Sequence, residues 1–357
     1  MTHTITRRPF IYSLTMVMMN FFSRLFPAYD WIQVEISTYC NAACVYCPHG
    51  VYKENWQNRY LPLKSFQNLV PEFTKTRHIH LQGWGEPFCS QDIFAMLRLA
   101  KDAGCQVSTT TNGMLLNQET IELLVHEGLD IIAFSLAGVD DERNDSVRRG
   151  TRLKTVLKAI EEINRVKAKC GTERQKIHIA YMLLRSGLND LEKLPSFLGN
   201  IGASQAVISS LSLVVSSELE TESILASDEA DFLELKQRMS HIRETAASQG
   251  VDIHFHIVSP FLKNGTCSEN IERSLVIGSE GNVSPCVMTK VPTRDEAFYF
   301  FKGERRQIPK VAFGNIMETS VKDIWHQKDY REFRSTFARG KIRNYCAACL
   351  KRFVDTV

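Results

Sequence analysis

Three cysteines fall within eight residues in the segment Cys40-Asn41-Ala42-Ala43-Cys44-Val45-Tyr46-Cys47. Three soft thiolates this close can ligate three irons of a [4Fe–4S] cube and leave the fourth iron open for chemistry. Spacing alone leaves two alternatives, a zinc site completed by His49 or a fully ligated ferredoxin-type cluster. A second group, Cys267, Cys286, Cys346 and Cys349, supplies four thiolates, a complete set for a [4Fe–4S] cluster or for tetrahedral zinc. Cys89, Cys105 and Cys170 remain. Free cysteine is commonly buried as a small apolar side chain, and of these three only Cys89 stands near the expected active edge, where a thiol could donate a hydrogen atom.

The elements that must carry these groups follow from the apolar pattern. Short β-branched runs at Trp31–Ser37, His78–Gln82, Gln106–Thr111, Ile131–Leu136, Lys176–Leu184 and Gln205–Ser209 alternate with helical segments such as Ile93–Ala103, Gln118–Glu127, Leu153–Ala168 and Leu191–Asn200. This alternation predicts an α/β chain with a parallel sheet and crossover helices. Six units are too few to close an eight-unit barrel, so the expected fold is a partial (β/α)6 TIM-like barrel with its active site at the C-terminal strand edge. His78, His80, Tyr181 and Arg185 lie on or just after strands and are further candidates to face substrate. A helical run from Asp228 to Gln249 ends the barrel, and a hairpin with a Glu280-Gly281-Asn282 turn opens a small C-terminal α+β domain. The predicted division is residues 1–30 as an N-terminal extension, 31–250 as the barrel and 251–357 as the auxiliary domain.

Composition bounds the rest. The chain has 357 residues, 44% hydrophobic and 23% charged, with a net charge of +3, which suits a globular enzyme and gives no reason to expect nucleic acid. Clustered cysteines in a chain of this size point to metal in a reducing compartment rather than to disulfides, hence a cytoplasmic location. Arg7 and Arg8 precede an apolar stretch from Phe10 to Phe22 that is too short to span a bilayer and has no small-residue cleavage site before Pro27. Phe10, Leu14, Val17, Phe21 and Leu25 recur at helical spacing, so residues 10–25 are expected to form an amphipathic helix packed on the main domain, with membrane or protein docking as its alternative use.

The C-x3-C-x2-C loop, with an aromatic residue before its last cysteine and placed after the first strand, resembles the radical S-adenosylmethionine (SAM) superfamily. The resemblance implies that the open iron chelates the methionine part of SAM and that cleavage yields a 5′-deoxyadenosyl radical. It places Tyr46 against the adenine, and assigns Gly83, Gly85 and Glu86 of Gly83-Trp84-Gly85-Glu86-Pro87 to the methionine amino group, although the family has glycine where Trp84 stands. Asn112 in Thr110-Thr111-Asn112-Gly113 would line the cofactor, Ser135 would reach the ribose, and Arg148 or Arg149 would meet the carboxylate.

The later cysteines, with Gly281, Phe313-Gly314-Asn315-Ile316 and Val321-Lys322-Asp323-Ile324-Trp325, resemble the SPASM and twitch extension of the same superfamily. No cysteine follows Cys349, which favours the twitch form with one auxiliary [4Fe–4S] cluster beside the catalytic one. The function this implies is hydrogen abstraction from a substrate C–H bond, in an oxidation or epimerisation. A small-molecule substrate is favoured over a peptide or protein side chain, and a flavodoxin or ferredoxin is the expected reducing partner. A non-catalytic iron–sulfur electron carrier is the alternative of a different class. A zinc scaffold or nucleic-acid module would instead recruit the basic run Arg331, Arg334, Arg339, Lys341 and Arg343, which otherwise reads as a solvated helix face.

Overall fold

The computed structural model describes residues 28–259, 267–347 and 349–356. The amphipathic helix expected over residues 10–25 lies outside the described residues. Twelve strands are described: β1 (Tyr29–Val34), β2 (Thr76–Leu81), β3 (Gln106–Thr111), β4 (Ile131–Leu136), β5 (Lys176–Leu183), β6 (Gln205–Ser210), β7 (Asp252–Val258), β8 (Ser274–Ile277), β9 (Val283–Ser284), β10 (Phe298–Phe301), β11 (Glu304–Gln307) and β12 (Val354–Thr356). Ten of them form one sheet in the order β12-β7-β6-β5-β4-β3-β2-β1-β8-β9, and β10 pairs with β11 separately. Strands β1 to β7 are mutually parallel along this order, with helices α1 (Ile93–Asp102), α2 (Gln118–His126), α3 (Leu153–Lys169), α4 (Leu194–Asn200) and α5 (Glu229–Ser248) among the crossovers. The architecture is the α/β partial barrel that the strand–helix alternation predicts.

Two features extend that reading. The alternating segment after α5, expected to open the second domain, is β7, which pairs parallel with β6 through five residues from Gln205↔Asp252 to Ser209↔His256. Strand β8 also adds parallel to β1, so the C-terminal part continues the barrel sheet at both of its ends, with β12 antiparallel on β7. A division at residue 250 therefore falls inside one sheet. Among the described residues no helix is long and apolar enough to cross a membrane.

Alternation along the strands sorts the two faces. Ile79 and Leu81, Ile177 and Ile179, and Ile253 and Phe255 are buried in one core with the helices, which include Ile160, Ile163 and Ile242. Tyr181 belongs to that helix-facing core, whereas His78, His80, His178, His254 and His256 sit at the alternate positions that face the lumen. Arg185 is tied to the carbonyls of Ser223 and Leu225. Helix ends follow the expected local chemistry: Asn117 and Asp228 cap α2 and α5, and Gly104 turns the chain after α1 at φ 79°.

In the lumen the Ser108 hydroxyl lies 2.6 Å from both His78 Nε2 and His80 Nδ1, so it can donate to one imidazole while accepting from the other. His80 Nε2 is 3.1 Å from Gln82 Oε1. Burial, with His78 beside it, holds the His80 imidazole down at about 4 against an ordinary 6.5. A depressed histidine contributes stability that is fully present above pH 6.5 and is lost as pH falls through 4. Relative to His80→Gln, the wild type should lose about 1 kcal/mol per pH unit across that window, reaching about 3 kcal/mol below it. Urea unfolding of both proteins from pH 7.5 to 4 measures this, and parallel acid profiles would count against it.

Candidate functional site

Between Val34 and Pro48 the chain runs without a strand or helix of its own, and the cysteine loop is shaped by what surrounds it. The Ala43 and Val45 amides donate to the carbonyls of Arg149 and Val147 at 2.7 and 3.0 Å, which docks the loop on the segment that follows β4. Gly150, at φ 86°, packs within 3.1 Å of Ala42 Cα and the Asn41 carbonyl at the position a Cβ would take. Asn112 Nδ2 donates to Asn41 Oδ1 at 2.7 Å and lies 3.9 Å from the Cys40 thiol. The loop thus sits at the C-terminal edge of β1, β3 and β4, where the partial barrel places its chemistry.

The Gly83–Pro87 turn supports the loop from the other side. A Cβ on Gly85 would fall 2.4 Å from the Ser37 carbonyl oxygen and 2.6 Å from that of Tyr39, and one on Gly83 would fall 2.2 Å from Glu35 Cγ. Both glycines let the turn approach the chain's own backbone and side chains, a use that their spacing does not distinguish from ligand approach. Glu86 is buried, and its carboxylate accepts from Thr111 Oγ1 at 2.7 Å, from the Asn112 amide at 2.8 Å and from the Phe88 amide at 3.3 Å. Burial outweighs these donors and pushes its pKa up. Glu86 therefore ties the turn after β2 to the end of β3.

The remaining predicted residues divide between this site and its outer wall. Arg148 is buried and donates through Nη1 to the Tyr46 hydroxyl, with its positive charge acting on Cys40, Cys44 and Cys47. Ser135 is half-buried at a lumen-facing position near the end of β4. Cys89 lies beside the loop, accepting from the Asn41 amide and neighbouring Glu86 and Tyr60. His49 packs edge-on against Trp56 at 5.1 Å rather than joining the thiols.

Burial, with the neighbouring cysteines adding to it, pushes the Cys40 and Cys47 thiols up to about 12. The second set behaves alike. Cys267, Cys286, Cys346 and Cys349 line one cavity with Met288, Phe333 and Tyr345, and burial raises all four thiols, Cys267 and Cys346 to about 12. Among the described residues no three His, Cys, Asp or Glu side chains are gathered closely enough to hold a single metal ion. Seven thiols, buried or half-buried, in one triad and one tetrad, the first beside Arg148, form a donor set that fits two iron–sulfur clusters.

Sequence reasoning misses Glu35 and Lys290, a buried ion pair behind Gly83. A carboxylate in the apolar run Ile32-Gln33-Val34-Glu35-Ile36 is the signal that could have found the first.

Comparison with known proteins agrees with this geometry. Residues 34–191 match the family model of the radical SAM superfamily, and residues 267–350 match that of an iron–sulfur cluster-binding domain, SPASM. The tungsten-containing aldehyde ferredoxin oxidoreductase cofactor-modifying protein of Pyrococcus furiosus is 24% identical over 312 residues, 85% of this chain and 83% of that protein. The GTP 3′,8-cyclase of Chlorobaculum tepidum is 29% identical over 178 residues, 47% of this chain and 49% of that protein. Among solved structures, Streptococcus suis SuiB bound to S-adenosylmethionine superposes with a TM-score of 0.64 at 18% identity, covering 99% of this chain and 79% of that one. Native anSMEcpe with bound AdoMet gives 0.61 at 15% identity, covering 90% and 87%.

The Gly85 contacts generate a test. Gly85→Ala should displace the Ser37–Tyr39 strand exit and with it Cys40, so that anaerobic reconstitution yields about half the wild-type iron while the auxiliary set still fills. Iron and sulfide analysis checks this, and full iron content in the variant would show that the loop tolerates the shift.

Proposed function

We infer, from the premise that this chain belongs to the radical SAM superfamily and carries a C-terminal SPASM iron–sulfur domain, that it removes a hydrogen atom from an unactivated C–H bond of a small-molecule substrate, in a net oxidation or epimerisation. The observation that carries this reading is the convergence of the three-thiol loop, the Gly83–Pro87 turn, Asn112 and Arg148 at one strand edge, with a four-thiol cavity in the following domain. Cys40, Cys44 and Cys47 would hold the catalytic cluster and leave one iron open. The chemistry supplied by that cluster together with bound SAM is homolytic, a 5′-deoxyadenosyl radical able to take hydrogen from carbon.

The chain's own residues do the positioning. Asn112 orients Asn41 and Cys40, and Glu86 fixes Asn112 by accepting its amide. Arg148 holds Tyr46 by its hydroxyl and sets a buried positive charge beside three thiolates. Val147, Leu184, Leu211, Val214 and Leu219 form an apolar cluster with Tyr46 and Met182 that keeps water from the C-terminal edge of the strands. Cys267, Cys286, Cys346 and Cys349 would hold a second cluster with every iron ligated, which suits electron exchange and keeps substrate off it.

The small-molecule reading draws support from the Pyrococcus furiosus relative, whose name gives a cofactor as its target and which aligns over most of both chains. SuiB, also solved with a precursor peptide, shares the fold, so peptide modification stands as the second reading. A reducing compartment such as the cytoplasm, and a flavodoxin or ferredoxin as electron donor, follow from low-potential cluster chemistry. Reconstituted protein should bind about eight irons per chain and, incubated anaerobically with SAM and dithionite, should release 5′-deoxyadenosine, a product that Cys44→Ser abolishes. Protein that binds SAM and never cleaves it would overturn the reading, and deuterium transfer from labelled metabolites against labelled peptides separates the two substrate classes.

A further inference from the structure

Trp84 is the one residue of the Gly83–Pro87 turn that departs from the glycine pattern, and its side chain leaves the barrel. Its indole Nε1–H donates to the Val287 carbonyl at 3.1 Å, one residue beyond Cys286. The ring packs with Trp56, Val291, Ala297 and Ile308, an apolar cluster drawn from both cysteine-bearing regions. The Trp84 backbone amide donates to Glu35 Oε1 at 2.9 Å.

Glu35, at the exit of β1 and five residues before Cys40, has the other end of its carboxylate turned to the C-terminal part of the chain. Oε2 meets the Lys290 ammonium and accepts from the Ser279 amide and hydroxyl at 3.3 and 3.4 Å. Lys290, four residues after Cys286, also lies 3.6 Å from Glu280. Glu35 is 1% exposed and Lys290 7%. The chain makes room for the pair from both sides: a Cβ on Gly83 would strike Glu35, and one on Gly278 would fall 2.4 Å from Lys290 Cε. Burying a carboxylate and an ammonium carries a large desolvation cost, so such a pair is retained for the arrangement it specifies more than for stability. Here the arrangement joins three segments, two leading to cysteines and one forming the turn beside them.

We propose that Glu35, Trp84 and Lys290 are positioning residues that clamp the auxiliary cysteine loop onto the catalytic turn and thereby fix the separation of the two clusters. The proposal rests on the two-cluster reading above. Its two contacts differ in kind, a charged one through Glu35 and Lys290 and a neutral one through the indole, and the Trp84 amide on Glu35 joins them. Both reach the same short stretch, Val287 to Lys290, directly after Cys286.

The test is microwave power saturation of the reduced clusters by electron paramagnetic resonance in the reconstituted full chain, because each paramagnetic cluster speeds the other's relaxation in a distance-dependent way. Lys290→Met and Trp84→Phe, the second deleting the indole N–H together with one ring of the side chain while keeping an aromatic group in the cluster, should keep both cluster signals and the wild-type iron content while the half-saturation power of the catalytic cluster falls severalfold. Lys290→Arg should restore it. Should Lys290→Met alone fail to fold, Glu35→Gln/Lys290→Met removes both charges together, leaves neither uncompensated, and carries the same expectation. Wild-type saturation behaviour in the Met and Phe variants, or equal loss in Lys290→Arg, would overturn the clamp. So would loss of the auxiliary cluster from Trp84→Phe, which would make the contact a support for the cluster itself. Failure of the underlying reading shows separately, in wild-type protein that holds iron for one cluster only or does not cleave SAM.

Discussion

The three-cysteine loop has no regular structure of its own, and contacts from several strand ends at the barrel's C-terminal edge give it a shape. Ordering an irregular segment costs about 1–2 kcal/mol per residue in backbone entropy, with no ladder of hydrogen bonds to offset it. The loop recovers that cost through ties to other strand ends: the Ala43 and Val45 amides on the segment after β4, Asn41 on Asn112 after β3, and the Glu86 amide on the Tyr39 carbonyl from the turn after β2. Each tie comes from a different strand–helix unit. The thiols are therefore placed only when several units are folded and in register.

This dependence explains which parts of the molecule were legible in its residues. Strands β3 and β4 occupy the predicted ranges, Gln106–Thr111 and Ile131–Leu136, because their alternation is local and bounded by turn residues. Strand β7 has the same alternation in Asp252–Val258, yet the pattern cannot say which sheet a strand joins, since pairing with β6 is a long-range choice. The grouping of cysteines into a triad and a tetrad was readable from spacing, because ligand count is a property of residue type. The hydrogen-bond partners of Glu86 were not: only the fold shows three donors from Phe88, Thr111 and Asn112 converging on a carboxylate that stands between a glycine and a proline. Trp84 was visible as a departure, but its reason, the Val287 carbonyl, lies 203 residues away.

Three of the buried charged groups share a common placement. Glu35, Glu86 and Arg148 are each less than 10% exposed, each carries several hydrogen bonds or charges, and each stands where chain segments meet near cysteines. An apolar replacement at such a junction would remove the desolvation cost and also the directionality, since dispersion contacts tolerate small slides that hydrogen bonds do not. The lumen histidines extend the same logic down the barrel, where Ser108 joins His78 to His80 and fixes β2 against β3 from the inside.

The two thiol sets differ in how much of their order precedes metal. The triad lies on one short loop that backbone bonds already shape, so metal need only displace protons from thiols that burial keeps protonated, Cys40 and Cys47 at about 12. The tetrad is gathered from three separate places in the chain, Cys267, Cys286 and the Cys346–Cys349 pair, around an apolar cavity. Closing loops of that length carries a larger entropic cost, which ligation by four sulfurs can offset. A cluster held by the tetrad would therefore tie together distant parts of the chain, whereas one held by the triad would enter a loop already shaped.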